Sequence, residues 1–232
     1  MNDKQKIGIL GGTFDPPHWG HILLASYFSN LFQLDQLIWI PTGDPWQKSP
    51  HITPAKIRYQ LTEAASEELK GLLIQSHTST KVLVDDTEIK RTGSSYTIDT
   101  AKLLREKLGP TASIIWLMGA DSFLNLPTWH DWRDLLHFIN LAVANRPQHT
   151  LDINPESPIG KLLLQKQTAD AKKLGETPAG LIYFDKSLSI DLSSTKLRQS
   201  FLQSTTINEA NGKNEGVPPK VFELIKNLGI YK

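Results

Sequence analysis

The chain has no cysteine among its 232 residues, which excludes disulfide bonds, thiolate catalysis and cysteine-ligated metal sites. It also has no excess of charge of either sign, because 25 basic and 24 acidic residues give a formal net charge of +1. Proteins that bind nucleic acid through a general electrostatic surface have a basic excess. The balance therefore argues against that class, and any affinity for phosphate must come from the local placement of a few charged groups.

Long hydrophobic runs are missing as well. No apolar segment approaches the roughly 20 residues that a bilayer-spanning helix needs, and the polar residues 1–6 contain no signal-peptide core. We therefore expect a cytoplasmic protein that acts on neither membranes nor nucleic acid. The composition is ordinary for a globular protein, and the length suits one sizeable α/β domain or two small ones.

Short apolar runs alternate with segments of helical periodicity. The predicted strands lie at residues 7–10, 36–40, 81–84, 113–118, 140–144 and 181–184. The predicted helices begin near residues 22, 54 (with Thr53 as N-cap) and 96, and two more lie near 194–203 and 218–228. This alternation is typical of a Rossmann-like, doubly wound α/β fold, with a mostly parallel sheet and helices on both faces. We expect a single domain over residues 1–232, with a C-terminal helical part at about 190–232.

Polar, glycine and aromatic residues follow four of the predicted strands, after Leu10, Ile40, Met118 and Ala144. In doubly wound folds, ligands bind outside the carboxyl ends of the strands, near the switch in strand order. We therefore expect these four strand ends to form one cleft. The alternative is a set of ordinary polar surface loops.

The most informative segment is Gly11-Gly12-Thr13-Phe14-Asp15-Pro16-Pro17-His18-Trp19-Gly20-His21. It joins the first predicted strand to the first predicted helix. The glycine pair allows close backbone approach and positive φ, while a helix N-terminus attracts anions through its N–H groups and its dipole. His18 and His21 are spaced to face the same side of the first turn. This layout predicts a phosphate site with two imidazoles beside it.

Three interpretations of the histidine pair are open. A metal site would need further ligands, and the remaining histidines show no ligand spacing. A structural pair would be satisfied by backbone groups. In the interpretation that we favour, the imidazoles contact phosphate and stabilise a transition state. The GxGxxG and GxxxxGK[ST] fingerprints are both missing, so neither a Rossmann dehydrogenase nor a Walker-type ATPase is supported.

A second candidate anion site lies in the segment Ser193-Ser194-Thr195-Lys196-Leu197-Arg198. Ser193 or Ser194 is expected to cap a helix. Lys196 and Arg198 then fall in its first turn, where the helix dipole disfavours cations. A broken local rule is typical of a functional site, here one with an anion between the two cations. The alternative is a solvated basic turn.

Together, GGTFDPPHWGH and SSTKLR resemble the nucleotidyltransferase superfamily that carries an HxGH motif and an ISSTxxR motif. Residues 91–100 (RTGSSYTIDT) and 118–129 (MGADSFLNLPTW) resemble two segments of the bacterial nicotinate-mononucleotide adenylyltransferases. Residues 144–147 are similar to that family's RRP element, with Asn145 in place of one arginine. The resemblance runs from about residue 6 to the end of the sequence.

The resemblance implies an enzyme of NAD biosynthesis that transfers AMP from ATP to nicotinate mononucleotide and releases deamido-NAD and pyrophosphate. No covalent intermediate is needed, so catalysis would consist of positioning and charge stabilisation. The implied cofactor is Mg²⁺ bound to ATP and held mainly by phosphates and water, with no metal-binding residues in the protein. The implied partners are the two substrates, and a homo-oligomer is left open.

The resemblance also implies roles for individual residues. The expected catalytic residues, which contact the ATP phosphates, are His18, His21, Lys48 and Arg198. The expected ATP-binding residues are Gly11, Gly12, Thr13, Phe14, Gly119, Asp121, Ser194 and Thr195. The expected mononucleotide-binding residues are Thr97, Trp129 and Arg146, with Trp129 stacked on the pyridine ring. Trp46 and Gln47 depart from the family's pattern beside Lys48, and their role is left open.

Three alternatives to this function remain. Phosphopantetheine adenylyltransferases belong to the same superfamily, but they are typically shorter and lack the SYTIDT and PTW segments. Nicotinamide-mononucleotide adenylyltransferases are harder to separate, because the acid and the amide differ by one polar group on the ring. A nucleotide-sensing regulator on the same fold would have degraded phosphate motifs, whereas both motifs are intact here.

Overall fold

The computed structural model describes residues 4–45, 52–145, 153–185, 188, 194–203 and 216–231. Lys48 and Arg146, and also Trp46, Gln47 and Ser193, lie outside these residues.

Seven strands are found in the described part of the chain. They are β1 (Lys6–Gly12), β2 (Gln36–Pro41), β3 (Lys81–Val84), β4 (Ser113–Gly119), β5 (Asn140–Ala144), β6 (Gln167–Thr168) and β7 (Ile182–Asp185). They form one sheet in the order β3-β2-β1-β4-β5-β7-β6, and every pairing is parallel. Since the chain moves outward from β1 to β3 and then crosses to β4, the strand order switches between β1 and β4. The predicted doubly wound parallel sheet is confirmed.

The α-helices of the same residues flank the sheet. They are α1 (Trp19–Phe32), α2 (Ala55–Gln75), α3 (Thr87–Lys90), α4 (Thr97–Leu108), α5 (Ala120–Leu124), α6 (Leu135–Phe138), α7 (Pro158–Lys166), α8 (Ala171–Glu176), α9 (Ser194–Gln203) and α10 (Pro219–Leu228). Two 3₁₀ turns lie at Leu126–Thr128 and Trp132–Asp134.

Successive residues of the central strands pack into two hydrophobic clusters on opposite faces. Leu10 and Trp39 belong to the cluster under α1 and α2, whereas Ile9 and Ile38 belong to the cluster under α4 and α6. A strand that is covered on both faces needs apolar residues at every position. This explains the unbroken apolar runs in the sequence, and it confirms the helices predicted on both faces.

The C-terminal helices pack on the same face as α1 and α2. Val221 and Ile225 of α10 are buried in that cluster, and Leu197 and Phe201 of α9 pack against it. Full burial of an aliphatic side chain stabilises a fold by about 1.5–3 kcal/mol. The C-terminal segment is therefore held against the core by ordinary hydrophobic contacts.

The sequence missed three elements and misplaced one cap. The short elements α7, β6 and α8 occupy a stretch with few buried residues, so no hydrophobic period marks them. Thr53 is not the N-cap of α2, because Pro54 takes that position. The Thr53 carbonyl instead accepts a hydrogen bond from the Arg58 side chain at 2.8 Å.

Close packing of the loop after β2 leads to a stability prediction. A Cβ atom built on Gly43 would lie 2.1 Å from the backbone oxygen of Glu88, so the backbone would have to shift. We expect Gly43→Ala to lower the free energy of unfolding by about 1–3 kcal/mol, measured by thermal and urea denaturation.

Gly71 provides the matched control, because a Cβ built there meets nothing within 4 Å. It lies inside α2, where alanine is the better helix former, so Gly71→Ala should raise the free energy of unfolding by about 0.5–1 kcal/mol. A Gly43 variant as stable as the wild type would contradict the close approach to Glu88.

Candidate active site

A cleft of about 320 Å³ opens at the carboxyl ends of β1 and β4, where the strand order switches. It brings together nine of the residues selected from the sequence, namely Gly11, Gly12, Thr13, Phe14, His21, Thr97, Gly119, Trp129 and Ser194. Three of the four predicted strand ends contribute to it, because Thr42 and Pro45 follow β2. Beyond the fourth strand, β5, the description stops at Asn145.

Gly11 and Gly12 serve a different purpose from the one expected. Neither has a positive φ. A Cβ on Gly11 would lie 2.3 Å from the Trp116 ring, and one on Gly12 would lie 2.9 Å from the Phe14 ring. The glycines are therefore needed because two aromatic side chains pack directly on the backbone of β1 at the floor of the cleft.

Phe14 carries the backbone turn that follows the glycines. Its φ is 51°, a left-handed conformation that is uncommon for a bulky residue. The side chain is 2% exposed, and its ring lies 5.2 Å from that of Trp39 and edge-on to His21 at 5.0 Å. Packing holds the strained turn in place at the edge of the cleft.

His18 and His21 form a stacked pair at the start of α1. Their ring centroids lie 3.8 Å apart. The backbone N–H of His18 donates to Nδ1 of His21 at 3.2 Å. A neutral imidazole that accepts at Nδ1 carries its proton on Nε2. His21 thus lines the cleft as an imidazole whose Nε2–H is a donor.

His18 lies behind His21 and does not line the cleft. It is 5% exposed, and burial lowers the pKa of its imidazole to about 4. The ring is therefore neutral at pH 7. Within the described residues, its Nδ1 is buried without a hydrogen-bond partner, which is unusual for a buried polar atom.

The helix α9 reaches back to the loop that follows β1. The Ser194 hydroxyl donates to the carbonyl of Pro16 at 3.0 Å. The Arg198 guanidinium donates to the carbonyl of Asp15 at 2.5 Å, and its Nη1 lies 3.8 Å from the Asp15 carboxylate. The two motifs that the sequence singled out are therefore in direct contact, although more than 170 residues separate them.

Three further predicted residues lie outside the lining of the cleft. Arg198 faces the Asp15 loop, as described above. Thr195 is exposed and accepts a weak hydrogen bond from Arg198 at 3.5 Å. Asp121 is exposed in the first turn of α5, next to the cleft residue Gly119.

One end of the cleft is aromatic. Trp129 follows a 3₁₀ turn, is half-buried and packs partly against the second hydrophobic cluster. Tyr96 and His130 also line this end, with their rings stacked at 4.4 Å. The sequence analysis did not select these two residues, although Tyr96 stands beside Thr97. This end offers several flat apolar surfaces to a planar ring.

Glu88 is a second lining residue that the sequence analysis missed. It is 5% exposed on α3, and it accepts a hydrogen bond from the Thr100 hydroxyl at 2.6 Å. Burial raises the pKa of its carboxyl, while the hydrogen bond from Thr100 opposes that rise. The bond ties α3 to α4 at the wall of the cleft.

Arg58 is a third missed residue. It is completely buried in α2, and its guanidinium donates three hydrogen bonds of 2.8 Å, to the carbonyls of Thr13, Gly43 and Thr53. Burial lowers its pKa, and Asp15 is the main group that opposes this. The sequence held a signal, because Arg58 stands on the apolar stripe that continues through Leu61.

The donor groups of the cleft match phosphate oxygens. They include the His21 imidazole and the hydroxyls of Thr13, Thr42, Ser95 and Ser194. In the chain as far as it is described, no three His, Asp or Glu side chains cluster as metal ligands would. Of the described helices, none has the length and apolar character that crossing a membrane requires.

Comparison with known proteins places the chain. The model of the cytidylyltransferase-like family matches residues 9–200. Two relatives carry the name "probable nicotinate-nucleotide adenylyltransferase". The one from Aeromonas salmonicida is 35% identical over 99% of this chain and 98% of its own length. The one from Herminiimonas arsenicoxydans is 32% identical over 97% and 96%.

Solved structures agree on the fold. The nicotinic acid mononucleotide adenylyltransferase of Plasmodium falciparum in complex with NaAD superimposes with a TM-score of 0.67 at 18% identity. The match covers 98% of this chain and 97% of that one. The same enzyme in complex with APC gives 0.66.

The relatives and the family model span nearly the whole of the region that forms the cleft, including both phosphate-type motifs. The chain therefore belongs to the cytidylyltransferase-like family and, within it, to the nicotinate-nucleotide adenylyltransferases.

Proposed function

We propose that this chain transfers the adenylyl group of ATP to nicotinate mononucleotide. A phosphate oxygen of the mononucleotide attacks the α-phosphorus of ATP, the bond from that phosphorus to the β-phosphate bridge breaks, and deamido-NAD and pyrophosphate leave. The observation that carries the proposal is the contact between the first loop and α9 at the mouth of a cleft with an aromatic end. That cleft has room for a polyphosphate at one end and a flat ring at the other.

In this mechanism, His21 donates its Nε2–H to the α-phosphate. Negative charge builds up there as the pentavalent transition state forms, and a fixed donor stabilises it without reorganisation. His18 acts from behind by stacking on His21 and by holding it through the backbone N–H. Because both imidazoles are neutral when His21 accepts at Nδ1, the pair stacks without like-charge repulsion.

The remaining ATP contacts follow from the residues around the first loop. Backbone groups of residues 11–14 meet the transferred phosphate, and the Ser194 hydroxyl lies at the same edge. Gly119 and Asp121 meet the adenosine. Arg198 together with Thr195 approaches the β- and γ-phosphates. We keep Lys48 in the same role as a prediction, since it lies outside the described residues.

Mg²⁺ enters with ATP in this proposal. The donor set of the cleft consists of hydroxyl, imidazole and amide groups, which suit phosphate oxygens, so the phosphates and water supply the ligands of the ion. When bound, the ion would neutralise part of the charge on the phosphates.

The acceptor lies at the aromatic end. Trp129 stacks on the pyridine ring, and Thr97 at the start of α4 lies beside the ring's carboxylate. Free backbone N–H groups at a helix N-terminus favour a carboxylate over a neutral amide. Arg146, outside the described residues, remains a predicted contact of the mononucleotide.

A pyrophosphate-release assay with ATP, Mg²⁺ and each acceptor tests the function directly. We expect turnover with nicotinate mononucleotide to exceed turnover with nicotinamide mononucleotide, and no turnover with phosphopantetheine. Chromatography should identify deamido-NAD as the product. Equal rates with acid and amide would contradict the proposed acceptor, and nucleotide binding without any pyrophosphate would favour a sensor.

Removal of the donor at the α-phosphate should slow chemistry. We expect His21→Ala to lower kcat by more than about tenfold, because a positioned proton donor contributes at least that much. His137→Ala is the control, since that imidazole is 73% exposed and pairs with Asp134 outside the cleft lining. A wild-type kcat for the His21 variant would refute its role.

Loss of the stacking surface should act on one substrate. We expect Trp129→Ala to raise KM for the mononucleotide by about tenfold, a typical effect of removing one ring–ring stack, and to change KM for ATP much less. Trp129→Phe keeps a flat ring and should retain most of the affinity. Equal losses for both substrates would indicate a purely structural tryptophan.

A further inference from the structure

The side chain of Tyr231 reaches the first loop from the far end of the described chain. Its hydroxyl donates to Oδ1 of Asp15 across 216 positions of sequence. Its ring stacks on Phe201 of α9, with centroids 6.1 Å apart. The backbone of Tyr231 is left-handed, with a φ of 59°, a conformation that a bulky residue adopts only where its surroundings enforce it.

Asp15 is the group that receives this hydrogen bond, and it is 2% exposed. Its carboxylate has three partners from distant segments. Tyr231 donates to one oxygen, while the other oxygen accepts from the Thr53 backbone N–H at 3.3 Å and lies 3.8 Å from the Arg198 guanidinium. A buried carboxylate is tolerated only when it is paired and hydrogen-bonded, so each partner matters.

Arg198 depends on the same residue, since it donates to the Asp15 main-chain carbonyl at 2.5 Å. Asp15 thus orients Arg198 through its backbone and its side chain, and Tyr231 and Thr53 orient Asp15. Burial, and after it the hydrogen bond to Asp15, raise the pKa of the Tyr231 phenol. The hydroxyl therefore stays protonated as a donor throughout the neutral range.

We propose that Tyr231 is a positioning residue of the active site, which acts through Asp15 to hold Arg198 and the first loop in their binding arrangement. The inference rests on the proposed function, in which Arg198 approaches the ATP phosphates. Nothing in its sequence surroundings points to Tyr231, because the residue lies beyond α10 and outside the cleft lining.

Tyr231→Phe tests the proposal, since it removes one hydroxyl and keeps the ring on Phe201. The loss leaves a buried carboxylate oxygen without its donor, so we expect kcat/KM for ATP to fall by about tenfold. ATP affinity, measured by calorimetry without an acceptor, should weaken in the same direction.

Tyr27→Phe is the matched control. The Tyr27 hydroxyl donates to the buried Asp185 carboxylate at 2.6 Å, a bond of the same chemistry that lies outside the lining of the cleft. We expect this variant to lose as much thermal stability as Tyr231→Phe and to keep wild-type kcat/KM. The comparison separates positioning from a general loss of stability.

A double-mutant cycle with Arg198→Ala identifies the route. If Tyr231 acts through Arg198, then Tyr231→Phe added to Arg198→Ala should cost less than about twofold in kcat/KM, because coupled residues are not additive. Independent, multiplying losses would overturn the proposal. So would a Tyr231 variant that matches the Tyr27 variant in both kcat/KM and ATP affinity.

The outcomes for the two proposals stay separate. A wild-type chain that binds ATP but makes no deamido-NAD would overturn the proposed acceptor. The comparison of ATP affinity between the two tyrosine variants needs no acceptor and would still decide the role of Tyr231.

Discussion

The three hydrogen bonds of Arg58 set the geometry on which the cleft depends. A buried guanidinium has five N–H donors in a rigid plane, and here it spans the carbonyls of Thr13, Gly43 and Thr53. Those carbonyls belong to the loop after β1, the loop after β2 and the entry to α2. One side chain thus fixes two adjacent loops relative to each other, and desolvation makes any unmade bond costly. The fixed loops then form the edge of the cleft that faces α9.

The site relies on neutral hydrogen bonding as much as on charge. Burial keeps His18 uncharged, and the bond from its backbone sets the tautomer of His21. The charged groups that are described nearby, Asp15 and Arg198, compensate each other at the entrance. This agrees with the nearly balanced composition of the chain, because affinity for a polyphosphate here does not require a broad basic surface.

Most of the fold and the meeting of the two motifs could be predicted from the sequence. Buried parallel strands are unbroken apolar runs, so β3 and β5 match their predicted bounds, and parallel topology places all strand ends at one edge. The roles of Asp15, Glu88 and Tyr231 could not be predicted in this way. Each depends on a partner that is distant in sequence, or on burial that no local pattern records.

The glycine pair shows the same limit in a different form. Gly11 and Gly12 were expected to serve the turn, but their need arises from Trp116 and Phe14, which pack on β1. A local pattern indicates that a side chain is unwelcome at a position. Only the folded arrangement shows which neighbour excludes it.

The bond between residues 15 and 231 has a consequence for biosynthesis. Domains form while the chain emerges from its N-terminus onward, and β1 to β7 with α1 and α2 are complete before α10 is translated. A nascent chain can therefore own a finished sheet while its first loop still lacks the tyrosine donor. Competence to bind nucleotide would arrive last, after the structural core is already resistant to proteases.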